Sequence, residues 1–293
     1  MAVTVDVAFV HAYSAELHRL AAQRASRLRN AVRVKAGQTG KTFHFERLGA
    51  SDLVPVVSRH QDTPLLNPEH SRRRGTFSDR AGAVLLDQLD EIKMLIQPNN
   101  EYAQNHADSY NRFLDDLIIA AALGSSTAVA ADDTTSSVAL PAAQLIPAGW
   151  TKLTYTKVNK AVRMLNDGEV EQEDRYAVVT PAGIESLLSE TPVTSSDFSD
   201  LQAIKNGGFA GKFWMGMQWI MSTRLPFATD VTSTRRCFAF QKAGVGLAIG
   251  KEIKVEMDRR PDKLNAMQVL AQVSAGAVRV EEVRVVEIDI TDS

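Results

Sequence analysis

The chain has 293 residues, 44% hydrophobic and 23% charged, the make-up of an ordinary globular protein of one or two domains that buries a core without staples or metals. Lys and Arg total 33 against 35 Asp and Glu, and a formal charge of -2 excludes the overall basic surface of a dedicated DNA binder, though not a local basic face. The single cysteine, Cys237, excludes an internal disulfide framework and a Cys-rich metal site.

No run approaches about 18 uncharged apolar residues, and the first residues lack the basic start and apolar core of a signal peptide. The expectation is a soluble protein, intracellular when made, without a membrane partner. Charge is uneven along the chain. Residues 1–100 hold 14 basic and 10 acidic groups, and residues 101–293 hold 19 and 25. A basic front and an acidic back suit a protein that meets copies of itself.

In chain order, residues 6–31 read as an amphipathic helix, with Phe9, Tyr13, Leu17, Leu20 and Leu28 as its apolar positions. Arg19, Arg24, Arg27 and Arg29 follow Glu16 with no acid between them, a basic face for nucleic acid, an acidic partner or solvent. Residues 32–80 carry Pro55, Pro64 and Pro68 and short β-prone runs at Thr42–Phe45 and Leu53–Val57. They predict a two-stranded excursion with a long irregular connection, and Arg72, Arg73 and Arg74 lie on its returning limb. So long an extension inside a compact domain implies function, disorder, or order gained against a partner.

Residues 81–96 fit strand or helix. Residues 99–123 predict one helix on the order of 36 Å long, with Asn99 and Asn100 as caps, a stripe from Ala103 through Ala121, and Gly124 as its stop. Residues 125–148, rich in Ala, Ser and Thr, predict a loop or weak edge strand. A helix over 151–166 with Thr151 at its N-cap comes next, then a strand at Arg175–Thr180 and a helix at Pro181–Ser189 opened by proline. A short helical turn at Asp200–Asn206, strands at Lys212–Met221, Arg236–Phe240 and Gly246–Ile249, and two β-rich runs around Gly276 complete the chain.

Signatures of catalysis fail on inspection. In Gly207–Lys212, Asn206 and Phe213 occupy the places where a phosphate loop needs glycine and Ser or Thr. No two histidines lie three or four apart, and no zinc-binding pattern occurs. Cys237 sits in an apolar strand and reads as an inert buried thiol. Asp115 and Asp116 are adjacent on a helix and point apart. Glu169, Glu171, Glu173 and Asp174 read as a solvated turn. No catalytic, cofactor or metal residue is expected.

The order of segments resembles the major capsid proteins of tailed double-stranded DNA bacteriophages. The resemblance rests on His70-Ser71-Arg72-Arg73-Arg74, Asp87-Gln88-Leu89-Asp90 before Lys93-Met94-Leu95-Ile96-Gln97-Pro98, Tyr102-Ala103-Gln104, the run Asp115–Gly124, Val138–Gln144, and Met217–Ser222 ending at Leu225-Pro226. It spans about residues 40–290. It implies the α+β tailed-phage capsid fold: an N-terminal arm over 1–31, an extended E-loop hairpin over 32–80, a peripheral domain over 81–169 with a spine helix at 99–123, an axial domain over 170–250, and C-terminal strands over 251–293 that rejoin the sheets.

It further implies self-assembly into pentamers and hexamers of an icosahedral head around double-stranded DNA, with scaffolding, portal and decoration proteins as further partners. The location would be the virion, after assembly in the host cytoplasm. Arg72, Arg73 and Arg74 are the expected intersubunit contact. Arg19, Arg24 and Arg27 are the expected inner-face cations. The alternatives are an encapsulin-like compartment shell and a cytosolic enzyme with a dispersed site.

Overall fold

The computed structural model describes residues 22–86, 99–130, 132–190, 213–228 and 231–291. A 3-10 turn at Arg29–Ala31 leads into β1 (Arg33–Ala36), β2 (Thr42–Leu48), β3 (His70–Thr76) and β4 (Ser78–Leu86). Helix α1 (Asn99–Leu123) precedes β5 (Ser126–Val129), β6 (Thr135–Val138) and β7 (Leu145–Ile146). Helix α2 (Tyr155–Asp167), β8 (Arg175–Val179) and helix α3 (Pro181–Ser189) follow. The rest is strand: β9 (Phe213–Trp214), β10 (Met217–Met221), β11 (Phe227–Ala228), β12 (Val231–Gln241), β13 (Val245–Arg260), β14 (Ala266–Arg279) and β15 (Val285–Thr291).

The chain divides into two units. The larger comprises residues 26–78, 114–250 and 274–293, and the smaller residues 1–25, 79–113 and 251–273. Helix α1, β13 and β14 contribute residues to both.

In the larger unit a mixed sheet runs β7-β15-β12-β8-β10-β9, with β11 added to β12. Its centre is the β12–β15 ladder, antiparallel from Thr234↔Thr291 to Phe240↔Val285. The parallel pairing of β8 with β10 requires a crossover, and α3 begins it. Val158, Ala161 and Leu165 of α2 are buried, as are Leu187 of α3 and Trp219, Phe238 and Ile288 of the sheet. Helix spacing of three and four on α2 is what turns those positions to one side. The Thr180 hydroxyl caps α3 by accepting from Gly183 N–H at 3.0 Å, with Pro181 in the first turn.

A second sheet in this unit, β2-β3-β5-β6, is antiparallel throughout. The β2–β3 ladder runs from Thr42↔Thr76 to Leu48↔His70. Residues 49–69 between them form no strand, and the Gly49 N–H closes their base on the Glu69 carbonyl at 2.8 Å. The excursion expected of residues 32–80 is present. Beside it Phe43 and Phe45 meet edge to face, 5.9 Å apart at 88°, and pack with Ala248, Val278 and Val280. In the smaller unit the Arg80 guanidinium lies over the Phe113 ring at 5.5 Å, and Tyr110 is buried.

Helix α1 has the bounds its apolar stripe predicts. Other expectations require correction. Residues 6–21 of the first helix lie outside the described residues, and residues 22–28 are not helical. The Asp115 carboxylate explains this, since it accepts from Leu28 N–H and Arg27 N–H, each at 3.1 Å, and from the Ser26 hydroxyl at 2.6 Å. Backbone donors held by a side chain are not free for a helical ladder.

The second helix starts at Tyr155, not Thr151. Thr154 caps it by accepting from Lys157 N–H at 3.3 Å, and the Thr151 hydroxyl donates instead to the Ala148 carbonyl at 2.9 Å. The strand expected at 212–221 is a tight hairpin. Met215 and Gly216 have φ of 52° and 73°, the left-handed pair that a two-residue hairpin turn requires. Gly276 does not divide the last strands but lies within β14. Residues 87–98 and Asp200–Asn206 lie outside the described residues.

Candidate assembly surfaces

Successive side chains of a strand alternate between its faces, so the three arginines of β3 do not act together. Arg72 is exposed, Arg74 half-buried, and Arg73 only 6% exposed. Arg73 Nη2 donates to both carboxylate oxygens of Glu282, at 2.7 and 2.8 Å, and Nε to the Val280 carbonyl at 3.4 Å. Arg73 is thus engaged inside its own chain. The contact with a neighbour expected of all three remains a proposal for Arg72 and Arg74.

Glu282 is a hub. Arg47 Nη1 stands 3.7 Å from it, Arg279 Nε 3.9 Å, and the Ser126 hydroxyl 3.4 Å. Arg279 has no exposed surface. Its guanidinium donates to the Ala122 carbonyl at 3.1 Å, the Val138 carbonyl at 2.9 Å, and the Gly124 carbonyl. Arg236 Nη2 donates to the Leu123 carbonyl at 3.0 Å while the same guanidinium pairs with Glu287. Two cations therefore satisfy the Ala122 and Leu123 carbonyls at the C-terminus of α1, where the helix dipole favours positive charge. Burial pushes the Arg279 guanidinium down, against the pull of Glu282.

Asp289 lies opposite Arg236 in the β12–β15 ladder. Burial, and then the neighbouring Glu287, push its carboxyl up to about 6. The four acids of the turn at 169–174 are all exposed; Arg284 binds the Glu171 carboxylate and holds it below the usual range, and Lys242 Nζ stands 3.9 Å from Asp174. Asp115 and Asp116 do diverge. Asp115 is buried against residues 26–28, and Asp116 accepts from Arg224 Nε at 2.6 Å.

Of the expected inner-face cations, Arg19 lies outside the described residues. Arg24, in the smaller unit, is exposed, and its carbonyl accepts from Asn111 Nδ2 at 2.8 Å. Arg27, in the larger, is exposed, and its guanidinium donates to the Met221 carbonyl. A groove of about 720 Å³ beside β1 is lined by Arg29, Arg33, Lys242 and Asp174. Among the described residues no three His, Cys, Asp or Glu side chains form a metal-binding set, and no helix is long and apolar enough to cross a membrane.

Residue patterns alone missed Arg236, Arg279, Glu282 and Glu287. A signal existed for Arg279 and Glu287, each a single charge inside an apolar β run, Ala277–Val280 and Val285–Ile288. A charge there is retained only when paired.

A family model described as phage capsid protein matches residues 5–292. The fold is shared with solved capsids of cyanophage P-SCSP1u (16% identity, 100% of this chain and 96% of that one, TM-score 0.70) and Ralstonia phage GP4 (13%, 100% and 98%, 0.75). It is shared also with the acid-stable capsid of Helicobacter pylori bacteriophage KHP30 (9%, 99% and 98%, 0.69). No curated protein matches in sequence.

Proposed function

The chain belongs to the phage capsid protein family, and on that premise we propose that it is the major capsid protein of an icosahedral phage head, self-assembled as pentamers and hexamers around double-stranded DNA. The observation that carries this reading is the family match from end to end, over residues 5–292. The role is structural, not enzymatic, and its place is the virion head, reached after assembly in the host cytoplasm.

Residues 32–80 act as the E-loop. Their tip supports this role, because Leu53, Val56, Val57 and Leu65 are each more than three-quarters exposed and gain burial only against another molecule. Helix α1 is the spine of the peripheral domain, and residues 170–250 form the axial domain. Arg72 and Arg74 meet acidic groups of a neighbouring copy, while Arg19, Arg24 and Arg27 face DNA or a scaffolding protein. Portal and decoration proteins are the further partners. Repeated weak contacts then close the shell by symmetry and avidity.

Negative-stain microscopy of the expressed protein, with its neighbouring gene products supplied, tests the reading. Uniform closed particles are expected. A monomer or dimer under every condition sinks it, and particles filled with a cargo enzyme point to a compartment shell.

A further inference from the structure

Three tryptophans occur in the chain, and their environments differ sharply. Trp214 and Trp219 are 8% and 1% exposed, whereas Trp150 is 88% exposed. Trp150 stands at the apex of a two-residue turn in the larger unit. The Thr151 N–H donates to the Ala148 carbonyl at 3.0 Å, and both central residues are left-handed, Gly149 at φ 55° and Trp150 at φ 59°. That is the type I′ pattern, which favours Gly, Asn or Asp. A bulky aromatic there is strained, so local backbone preference does not explain the choice.

The turn is held rigidly. The Ala148 carbonyl accepts also from the Thr151 hydroxyl at 2.9 Å and from Lys157 Nζ at 2.8 Å. The same ammonium donates to the Thr151 carbonyl at 3.0 Å and the Asp289 carbonyl at 2.9 Å. Lys157 is buried, and burial pushes its ammonium down. The Thr291 N–H reaches the Thr151 carbonyl at 3.0 Å. A buried cation and the end of β15 thus fix the backbone beneath a side chain that is almost wholly exposed.

We propose that Trp150 is an interface anchor that seats against a second copy of this chain, an inference that rests on the shell reading above. Tryptophan is the residue most enriched among interface anchors, and rigidity before contact reduces the ordering cost of docking. A second copy is the fitting occupant because each subunit of a shell built from one repeated chain is bordered by further copies at fixed geometry.

Purified full-length protein, brought to assembly, supplies the test through its own fluorescence. With the other two tryptophans buried, acrylamide quenching of the unassembled subunit reports chiefly on Trp150. Assembly should abolish most of that quenching. Trp150→Gly should raise the protein concentration needed for particles by about ten-fold. The same change should leave unchanged or raise the melting temperature of the subunit, because glycine relieves the strained φ. Trp150→Phe should retain assembly near the wild-type concentration.

Equal quenching in particle and subunit, or wild-type assembly by Trp150→Gly, overturns the anchor while the shell reading stands. Shielding that appears only when another protein is added to finished particles overturns the second copy as occupant. Wild-type protein that forms no particles removes the shell reading and the anchor with it.

Discussion

Arg73 and Glu282, 209 residues apart in sequence, are joined by one guanidinium nitrogen that bridges both carboxylate oxygens at 2.7 and 2.8 Å. The pair ties β3 to the segment between β14 and β15. One carboxylate there faces three guanidiniums, those of Arg47, Arg73 and Arg279. Its loss would leave Arg73 and Arg279 as buried cations without their anion.

Glu282→Ala should therefore destabilise the subunit by about 3–5 kcal/mol, the range for breaking one side of a buried pair. The paired change Arg72→Glu and Arg74→Glu should cost only about 1 kcal/mol per site, Arg72 standing opposite Glu46 across the β2–β3 ladder, and still prevent particles. Urea denaturation and sedimentation read the two effects separately. Normal particles from the Arg72 and Arg74 variant would remove these residues from the interface.

Asp289 predicts a pH dependence of subunit stability. Its carboxyl is pushed up to about 6 in the folded chain, against about 3.9 when unfolded. Between those values the folded form holds a proton that the unfolded form has lost. The stabilisation is fully present below about pH 4 and is lost as pH rises through about 6. Asp289→Asn removes the penalty of the ionised form. It should stabilise the unassembled subunit at pH 8 by on the order of 1 kcal/mol, allowing for partial exposure, and change little at pH 4. Thermal melts at the two values check this, and an equal effect at both would refute it.

Gly276 admits the aromatic core beside the second sheet. A Cβ there would stand 2.4 Å from the Thr76 carbonyl oxygen and 2.6 Å from the Phe43 ring, and one at Gly75 would stand 2.1 Å from that ring. Gly75→Ala should cost about 1–3 kcal/mol by overpacking. Phe43→Leu combined with it should cost less than the sum of the two alone, because the smaller side chain vacates the space. Additive costs in a double-mutant cycle would show that the ring is not the obstacle.

The elements most legible in the sequence were those whose signal is local. Helix α1 declares itself by a stripe from Ala103 to Ala121 and a stop at Gly124. Pro181 does the same for the start of α3. What was not legible depends on partners distant in sequence. Asp115 withdraws the backbone N–H groups of Arg27 and Leu28 from a helix across 88 and 87 positions. Gly276 reads as a breaker because nothing nearby announces the ring of Phe43. The Arg72–Arg74 run reads as one basic patch until strand alternation separates Arg73 from its neighbours. The alignment of separate segments, more than any motif, carried the family.

The apolar tip between β2 and β3 has a consequence for the time before a shell exists. Leu53, Val56, Val57 and Leu65 lie exposed on every newly made subunit, and such runs promote aggregation when chains are concentrated. Pro55 interrupts the first run, Pro64 precedes the second, and Asp52, Arg59 and Asp62 stand nearby. Proline lacks the donor that a strand ladder needs, and charge opposes the stacking of identical segments. Both features oppose the pairing of one tip with another.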